Sequence, residues 1–480
     1  YRIQTTHKSN EGGSCMKVTL IHPTIGKHEG QKNYIRTWQM EPLGAATLAS
    51  LTPSEHQVKF FDDRVETIDF NEPTDLVAIS VETYTAMRAY QIASEYRKRN
   101  VPVVMGGFHA SLCPEEVSQY AESVVVGEAE ASWRQVLLDA EKGSLKTYYH
   151  SKERPSLNHV MPDRSIFIGK NYVPVALVEA SRGCEFQCEF CAIQTVFNNS
   201  QTRRPYQNVL DELSRIGDRR LIFFVDDNIT SNVKVSKEFL RALIPYNYKW
   251  VSQMSINAAH DEEFLDLLQK SGCQGVLIGF ESLNPENLKK MNKGFNMMGG
   301  GYEKALANLR KYNIRLYITF VFGYDEDTPE SFSESVEFAK EHNFYITAFN
   351  HLTPFPGTPL YKRLEKENRL LYDQWWLDPT YSYNKIPFQP RHFQPHELEA
   401  GCVQARTDFY TWRSIWSRGL DSVNKKSAWM WMQYYLINYG IRREISSRDH
   451  LPLGDSNWKG ELIKVRQVPE LYLKSINQGL

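Results

Sequence analysis

The chain has 480 residues, and its 56 lysines and arginines stand against 57 acids for a formal net charge of −1. That balance leaves no basic footprint for nucleic acid. With a mean hydropathy of −0.48 and no apolar run of about 18 residues, no membrane span is expected. Seven cysteines are too sparse, and odd in number, for a disulfide framework, and the length predicts roughly two to three domains.

Residues 1–15 are polar and lack the apolar core of a signal peptide. They read as an extension or tag remnant before a native start at Met16. From there short apolar runs at 17–21, 58–61, 76–80, 101–105 and 123–126 alternate with helical stretches at 43–51 and 87–99. This alternation predicts a Rossmann-like, doubly wound parallel sheet over 16–142. Ligands of such sheets bind beyond the carboxyl ends of the strands. Those ends carry Ser80, Glu82 and Thr83, then Gly106, Gly107, His109 and Ala110, then Gly127 and Glu128. The paired glycines allow a backbone to approach a flat ligand closely. A dinucleotide fold is the rival, but no G-x-G-x-x-G follows the first strand. His109 in such a turn often serves only to hydrogen-bond the backbone.

A linker is expected over 143–170. Strands then resume at 175–180, 221–225, 250–254, 275–280, 315–322 and 345–350, separated by helical patterns such as 262–270 and 329–341. Six β/α units over 171–365 are too few for an eight-fold barrel. The first strand feeds directly into Cys184, Cys188 and Cys191, spaced C-x3-C-x2-C. Thiolates this close can hold one iron–sulfur cluster, and three ligands leave one iron of a [4Fe–4S] set open. The alternative is zinc, which wants four closed ligands, usually as two separated pairs; the other four cysteines are scattered singly. Further strand ends carry Asp226, Asp227 and Asn228, then Gln253 and Ser255, then Glu281, then Gly323 and Tyr324. Acids at such ends also serve as helix caps, and Asp227, Asp325 and Asp327 are open to that reading. Arg182, Arg203 and Arg204 flank the cysteine loop, suited either to a carboxylate ligand or to ordinary salt bridges.

From Leu370 onward the pattern reads as helical and aromatic, a mainly helical domain over 366–480. Residues 427–441 are too short to cross a bilayer. They are read as a core helix, with a place on a membrane surface as the alternative.

The cysteine segment, with Phe190 before its third cysteine, resembles the cluster motif of the radical SAM superfamily. Pro42, Leu43 and Gly44, with the turns at 106–110 and 126–128, resemble the cobalamin-binding domain that precedes the barrel in one large subgroup. The loop at 351–361 resembles one common after the last barrel strand of that subgroup. The resemblance implies a partial (β/α)6 barrel with a [4Fe–4S] cluster on Cys184, Cys188 and Cys191. It implies S-adenosylmethionine (SAM) held near Asp226, Asp227, Asn228, Gln253, Ser255, Glu281, Gly323 and Tyr324. It also implies cobalamin against Pro42, Leu43, Gly44, Ser80, Glu82, Thr83, Gly106, Gly107, His109, Ala110, Gly127 and Glu128. The D-x-H-x-x-G motif is absent, so no histidine is expected below the cobalt.

The same resemblance implies a cytoplasmic enzyme, peripheral to a membrane if its substrate is a lipid. It would cleave SAM to a 5′-deoxyadenosyl radical, abstract hydrogen from an unactivated carbon and methylate that carbon through methylcobalamin. Non-methylating cyclases, ring-rearranging enzymes and carbon–carbon coupling enzymes share the layout, and a corrinoid- or cluster-binding sensor without turnover is the reading from another class. The expected partners are a small apolar substrate (a lipid, tetrapyrrole or natural-product intermediate) and a flavodoxin or ferredoxin. The aromatic C-terminal part is expected to close the substrate cavity.

Overall fold

The computed structural model describes residues 15–30, 39–151, 153–158, 160–216, 221–445 and 450–465. The expected extension at 1–15 lies outside these apart from Cys15. Two six-stranded, wholly parallel sheets dominate.

The first sheet comprises β1 (Lys17–His22), β2 (Gln57–Asp62), β3 (Leu76–Ser80), β4 (Val103–Gly106), β5 (Ser123–Val126) and β6 (Tyr148–His150). Their spatial order is β2-β1-β3-β4-β5-β6. The order reverses between β1 and β3, so the loops leaving those two strands diverge and leave a cleft between them. Runs such as LVAIS are buried along nearly their whole length, as strands covered on both faces must be. Helices α1 (Leu43–Leu51) and α2 (Ala86–Arg97) pack on opposite sides of the sheet: Ala46 and Ala49 join one apolar cluster, Ala89 and Ile92 the other. The stretch expected as a linker, 143–170, is structured. It supplies β6, which pairs with β5, and a 3-10 turn at Arg164–Phe167 whose Phe167 packs on Phe60.

The second sheet runs in simple sequential order: β7 (Val175–Val178), β8 (Leu221–Phe224), β9 (Trp250–Gln253), β10 (Cys273–Glu281), β11 (Arg315–Phe322) and β12 (Ile346–His351). Alternate residues show two faces. Phe224, Ile278, Phe320 and Phe349 are fully buried under the outer helices, whereas Phe223, Leu277, Thr319 and Ala348 are half-buried toward the lumen.

A curled sheet that stops at six strands leaves β12 as an exposed edge, with backbone groups that need partners. C-terminal side chains supply them. The Tyr410 hydroxyl accepts from Thr347 N–H at 3.2 Å and donates to the carbonyl of the same residue at 2.9 Å. The Asn438 amide donates to the Tyr345 carbonyl. The Arg418 guanidinium, 1% exposed, donates to the Phe344 carbonyl at 2.8 Å and lies 3.7 Å from the Phe409 ring centroid. These residues belong to or adjoin α3 (Pro395–Phe409), α4 (Trp412–Gly419) and α5 (Ala428–Glu444).

Residues 370–394 form no helix, contrary to the helical expectation from Leu370 onward. Pro379, Pro387 and Pro390 interrupt the segment. Its Trp375, Trp376 and Tyr381 are buried instead against the core of the first sheet.

Candidate active site

The cysteine loop leaves β7 at the carboxyl end of the barrel, and its backbone is held by side chains from neighbouring strand ends. Asp226, fully buried, accepts from Ala180 N–H at 2.8 Å and from the Ser181 hydroxyl. Asp227 accepts from Gly183 N–H at 2.7 Å. Burial pushes both carboxyls up to about 6. Within the loop, Glu189 takes the Arg363 Nε hydrogen bond at 2.8 Å and one from the Tyr324 hydroxyl. Glu189 N–H donates to the Met291 carbonyl, and its own carbonyl accepts from Leu360 N–H.

Two of the sulfurs are buried thiols with hydrogen-bond donors and a lysine beside them. Burial raises the Cys188 thiol to about 12 and the Cys191 thiol in the same direction, so displacement of those protons needs a metal. Donors for thiolates are in place. Asn228 Nδ2 lies 3.5 Å from Cys184 Sγ, and the N–H groups of Ile193 and Gln194, opening the helix Ala192–Phe197, hold the Cys191 thiol down. Lys293, which the sequence reading missed, lowers Cys188 through its charge. Its Nζ lies 2.6 Å from Glu281 Oε1 and 5.9 Å from the Phe190 ring centroid. No sequence pattern placed this lysine here, because it follows a separate helix, Pro285–Lys290. These residues fit a cluster held by three thiolates.

The eight strand-end residues read as a SAM set separate into three groups. Asn228, Gln253, Ser255 and Glu281 gather around the loop. Asn228 Nδ2 donates to Ser255 Oγ at 2.8 Å, and Gln253 Nε2 donates to the Asp226 carbonyl. Glu281 has a φ of +62° and is engaged by Lys293. The carboxylates of Asp226 and Asp227 are committed to the loop backbone, so their side chains act as braces. Gly323 and Tyr324 belong to a turn whose Tyr324 hydroxyl reaches Glu189 of the cysteine loop. Both N–H groups are taken by Asp327 Oδ2 at 2.9 and 3.0 Å, and Gly323 packs under Leu398 and Phe388. Those two N–H groups are thus engaged within the turn itself. The arginines serve the protein as well. Arg204 pairs with Glu212, Arg203 donates to the Ile229 carbonyl, and Arg182 bridges Glu179, Glu128 and Glu130.

At the reversal point of the first sheet lies a cavity of about 310 Å³. Leu43, Gly44, Ser80, Glu82, Gly106, Gly107, Gly127 and Glu128 line it, all from the expected cobalamin set. So do Glu179, Arg182, Val196, Phe197 and Val225 from the barrel side. Gly107 has a φ of +106°, and a Cβ there would fall 2.8 Å from the Val81 carbonyl oxygen. Glu82 opens onto the cavity, and burial alone raises its carboxyl to about 7.

Four residues of that set are not on the lining. Pro42 precedes α1 as its cap, and Ala110 is fully buried. The Thr83 hydroxyl meets His109 Nδ1 at 3.3 Å, and His109 Nε2 meets Glu116 at 3.2 Å. His109, Cys113 and Glu116 bring ligand atoms within 4.8 Å of one another. Glu116, however, also accepts from Tyr90, Gln374 and Trp376. The group is a satisfied polar hub that pins the 370–394 segment to the first sheet.

The model of the radical SAM superfamily matches residues 178–339. The chain is 32% identical to bacteriochlorophyllide d C-12(1)-methyltransferase of Chlorobaculum tepidum, over 84% of this chain and 89% of the relative. This chain belongs to the radical SAM superfamily. Within it, the bacteriochlorophyllide d C-8(2)-methyltransferase of the same organism is 29% identical over 80% of this chain and 88% of its own length. The radical SAM methyltransferase TsrM of Kitasatospora setae, solved with cobalamin and a [4Fe–4S] cluster, shares the fold. It superposes with a TM-score of 0.63 at 17% identity, over 90% of this chain and 99% of TsrM. The chain is a radical SAM enzyme of the methyltransferase group, with the mixed α/β fold described above.

Proposed function

We propose that this protein is a cobalamin-dependent radical SAM C-methyltransferase acting on an unactivated carbon of a tetrapyrrole, in the reducing cytoplasm. A flavodoxin or ferredoxin would supply its electrons. The observation that carries the reading is the shared cavity, whose wall joins the reversal point of the first sheet to β7, β8 and the helix behind Cys191. A cofactor seated there adjoins the cluster loop. The tetrapyrrole class rests on the likeness to two bacteriochlorophyllide d methyltransferases over most of both lengths.

Bound together, the groups would supply a 5′-deoxyadenosyl radical from SAM and a methyl group from cobalamin. The protein supplies alignment and dryness. Cys184, Cys188 and Cys191 would hold the cluster, with Asn228 placed to donate to Cys184 Sγ and Lys293 setting positive charge beside Cys188. Asp226, Asp227 and Glu189 fix the loop that would hold the cluster. The small turns at 106–107 and 127 leave room for a flat macrocycle, and no side chain from them blocks its face.

Anaerobic reconstitution with iron, sulfide and hydroxocobalamin tests this, followed by incubation with SAM, dithionite and a bacteriochlorophyllide d mixture. Expected are one cobalamin and about four irons per chain, 5′-deoxyadenosine and a methylated pigment. Iron without cobalamin would overturn the cobalt route. Deoxyadenosine without methylated pigment would overturn the tetrapyrrole assignment.

A further inference from the structure

We propose that the outward face of α4 and α5 docks this enzyme on an anionic membrane surface. The two helices pack inward through Ile415, Met430 and Tyr434, which meet Tyr345 and Ile346 of the barrel edge. Their outward face is apolar where a soluble helix pair carries charge. Trp412, Trp416 and Leu420 are 48%, 55% and 59% exposed, and Met432, Leu436 and Tyr439 are 50%, 58% and 50% exposed. These side chains form one surface. Trp412 stacks on Tyr439 at 5.9 Å, and Trp416 lies against Tyr435 at 4.9 Å. Scattered exposed apolar residues need no explanation, but a contiguous aromatic patch of this kind marks an interaction site.

Charge and composition select the occupant. Residues 412–444 hold six lysines and arginines, of which only Arg418 is buried, against two acids, in a chain whose net charge is −1. Arg413, Lys425, Lys426 and Arg443 are exposed at the margins of the patch. The acid Asp421 is already paired with Arg310. Arg442 sits over the Trp412 ring at 5.4 Å. Tryptophan and tyrosine flanked by basic residues suit the headgroup layer, where an amphipathic ring has both an apolar and a wet neighbour. Basic side chains beside a shallow apolar face add attraction to anionic lipid. A protein partner would equally accept the aromatics, but it would not require the exposed basic side chains beside them. No helix among the described residues is long and apolar enough to cross a membrane, so the contact is peripheral.

The docking face is distinct from the cavity and the cluster loop, so it stands or falls separately from the proposed chemistry. The test is flotation of the reconstituted full chain with vesicles of phosphatidylglycerol or of phosphatidylcholine, at low and high salt. The wild type is expected to float with phosphatidylglycerol at least tenfold more than with phosphatidylcholine, and to be released by salt. Trp416→Asp combined with Leu436→Asp should abolish flotation with iron content and circular dichroism unchanged. Lys425→Glu combined with Lys426→Glu should weaken it severalfold. Equal binding to both vesicle types, no flotation, or flotation undiminished in the aspartate variant would overturn the proposal. So would a concentration-dependent dimer lost in that variant, which would make a second copy the occupant.

Discussion

The two parallel sheets use the same six-strand inventory, yet they make opposite kinds of site. In the barrel the strands follow one another in order, the sheet curls, and side chains at the strand ends converge on one loop. In the first sheet the order reverses once, and the cleft at the reversal is opened by Gly44, Gly106, Gly107 and Gly127 among larger apolar and acidic residues. One site is made by what its side chains donate, and the other by what its turns omit. The barrel site should therefore fail through loss of a ligating or hydrogen-bonding atom, and the cleft through addition of an atom.

The largest expected effect is from Cys188→Ala. It should abolish iron retention and 5′-deoxyadenosine formation, as measured by iron analysis and chromatography, while cobalamin per chain stays at the wild-type value. Loss of both cofactors together would erase the distinction between the sites. Next is Arg418→Leu, which leaves the Phe344 carbonyl and Asn438 side chain at the barrel edge without their donor. A loss of about 3 kcal/mol in denaturant-determined stability is expected, carried by the barrel transition rather than by the first sheet. Gly107→Ala then sharpens the comparison from the other side. Its positive φ and the near-contact with Val81 predict roughly hundredfold weaker cobalamin binding, about 2.7 kcal/mol, with iron content unchanged.

The smallest effect concerns His351, at the end of the barrel's edge strand. It is buried, its Nε2 has no hydrogen-bond partner, and burial depresses its pKa from 6.5 to about 4. The unfolded chain therefore takes up the proton first. The stability this neutral histidine permits is complete above about pH 6.5 and is lost as pH falls toward 4, by about 2 kcal/mol at roughly pH 5. His351→Phe should flatten that part of the stability-against-pH curve, read by denaturant titration at each pH.

Much of the fold was legible because its strands are β-branched runs bounded by turns. The residues 76–80, 123–126 and 315–322 read as strands and are strands. The sixth strand of the first sheet, Tyr148–His150, escaped because three residues show no period. The segment 370–394 misled because aromatic density looks like a helix face. Its tryptophans are instead anchors for a distant domain, a tertiary fact with no local signature. Within the site, the cysteine spacing and the glycine turns were visible. Asp327, which holds Gly323 and Tyr324, lies in their own turn, whereas the partners of His109 were not visible, since Thr83 and the Trp376 that shares Glu116 come from other elements. Lys293 was invisible for the same reason.

Glu189 sits between two of the three cysteines, yet its carboxylate is held by Tyr324 and Arg363 and its carbonyl by Leu360 N–H. Those residues are made long after the cysteines during synthesis. The nascent chain therefore emerges with its three thiols on a loop that lacks its clamp. The clamp closes only once the segment through residue 363 has left the ribosome tunnel and docked. Stable metal loading is thereby tied to synthesis through residue 363, and fragments ending before that point would carry the whole motif without the means to keep its iron.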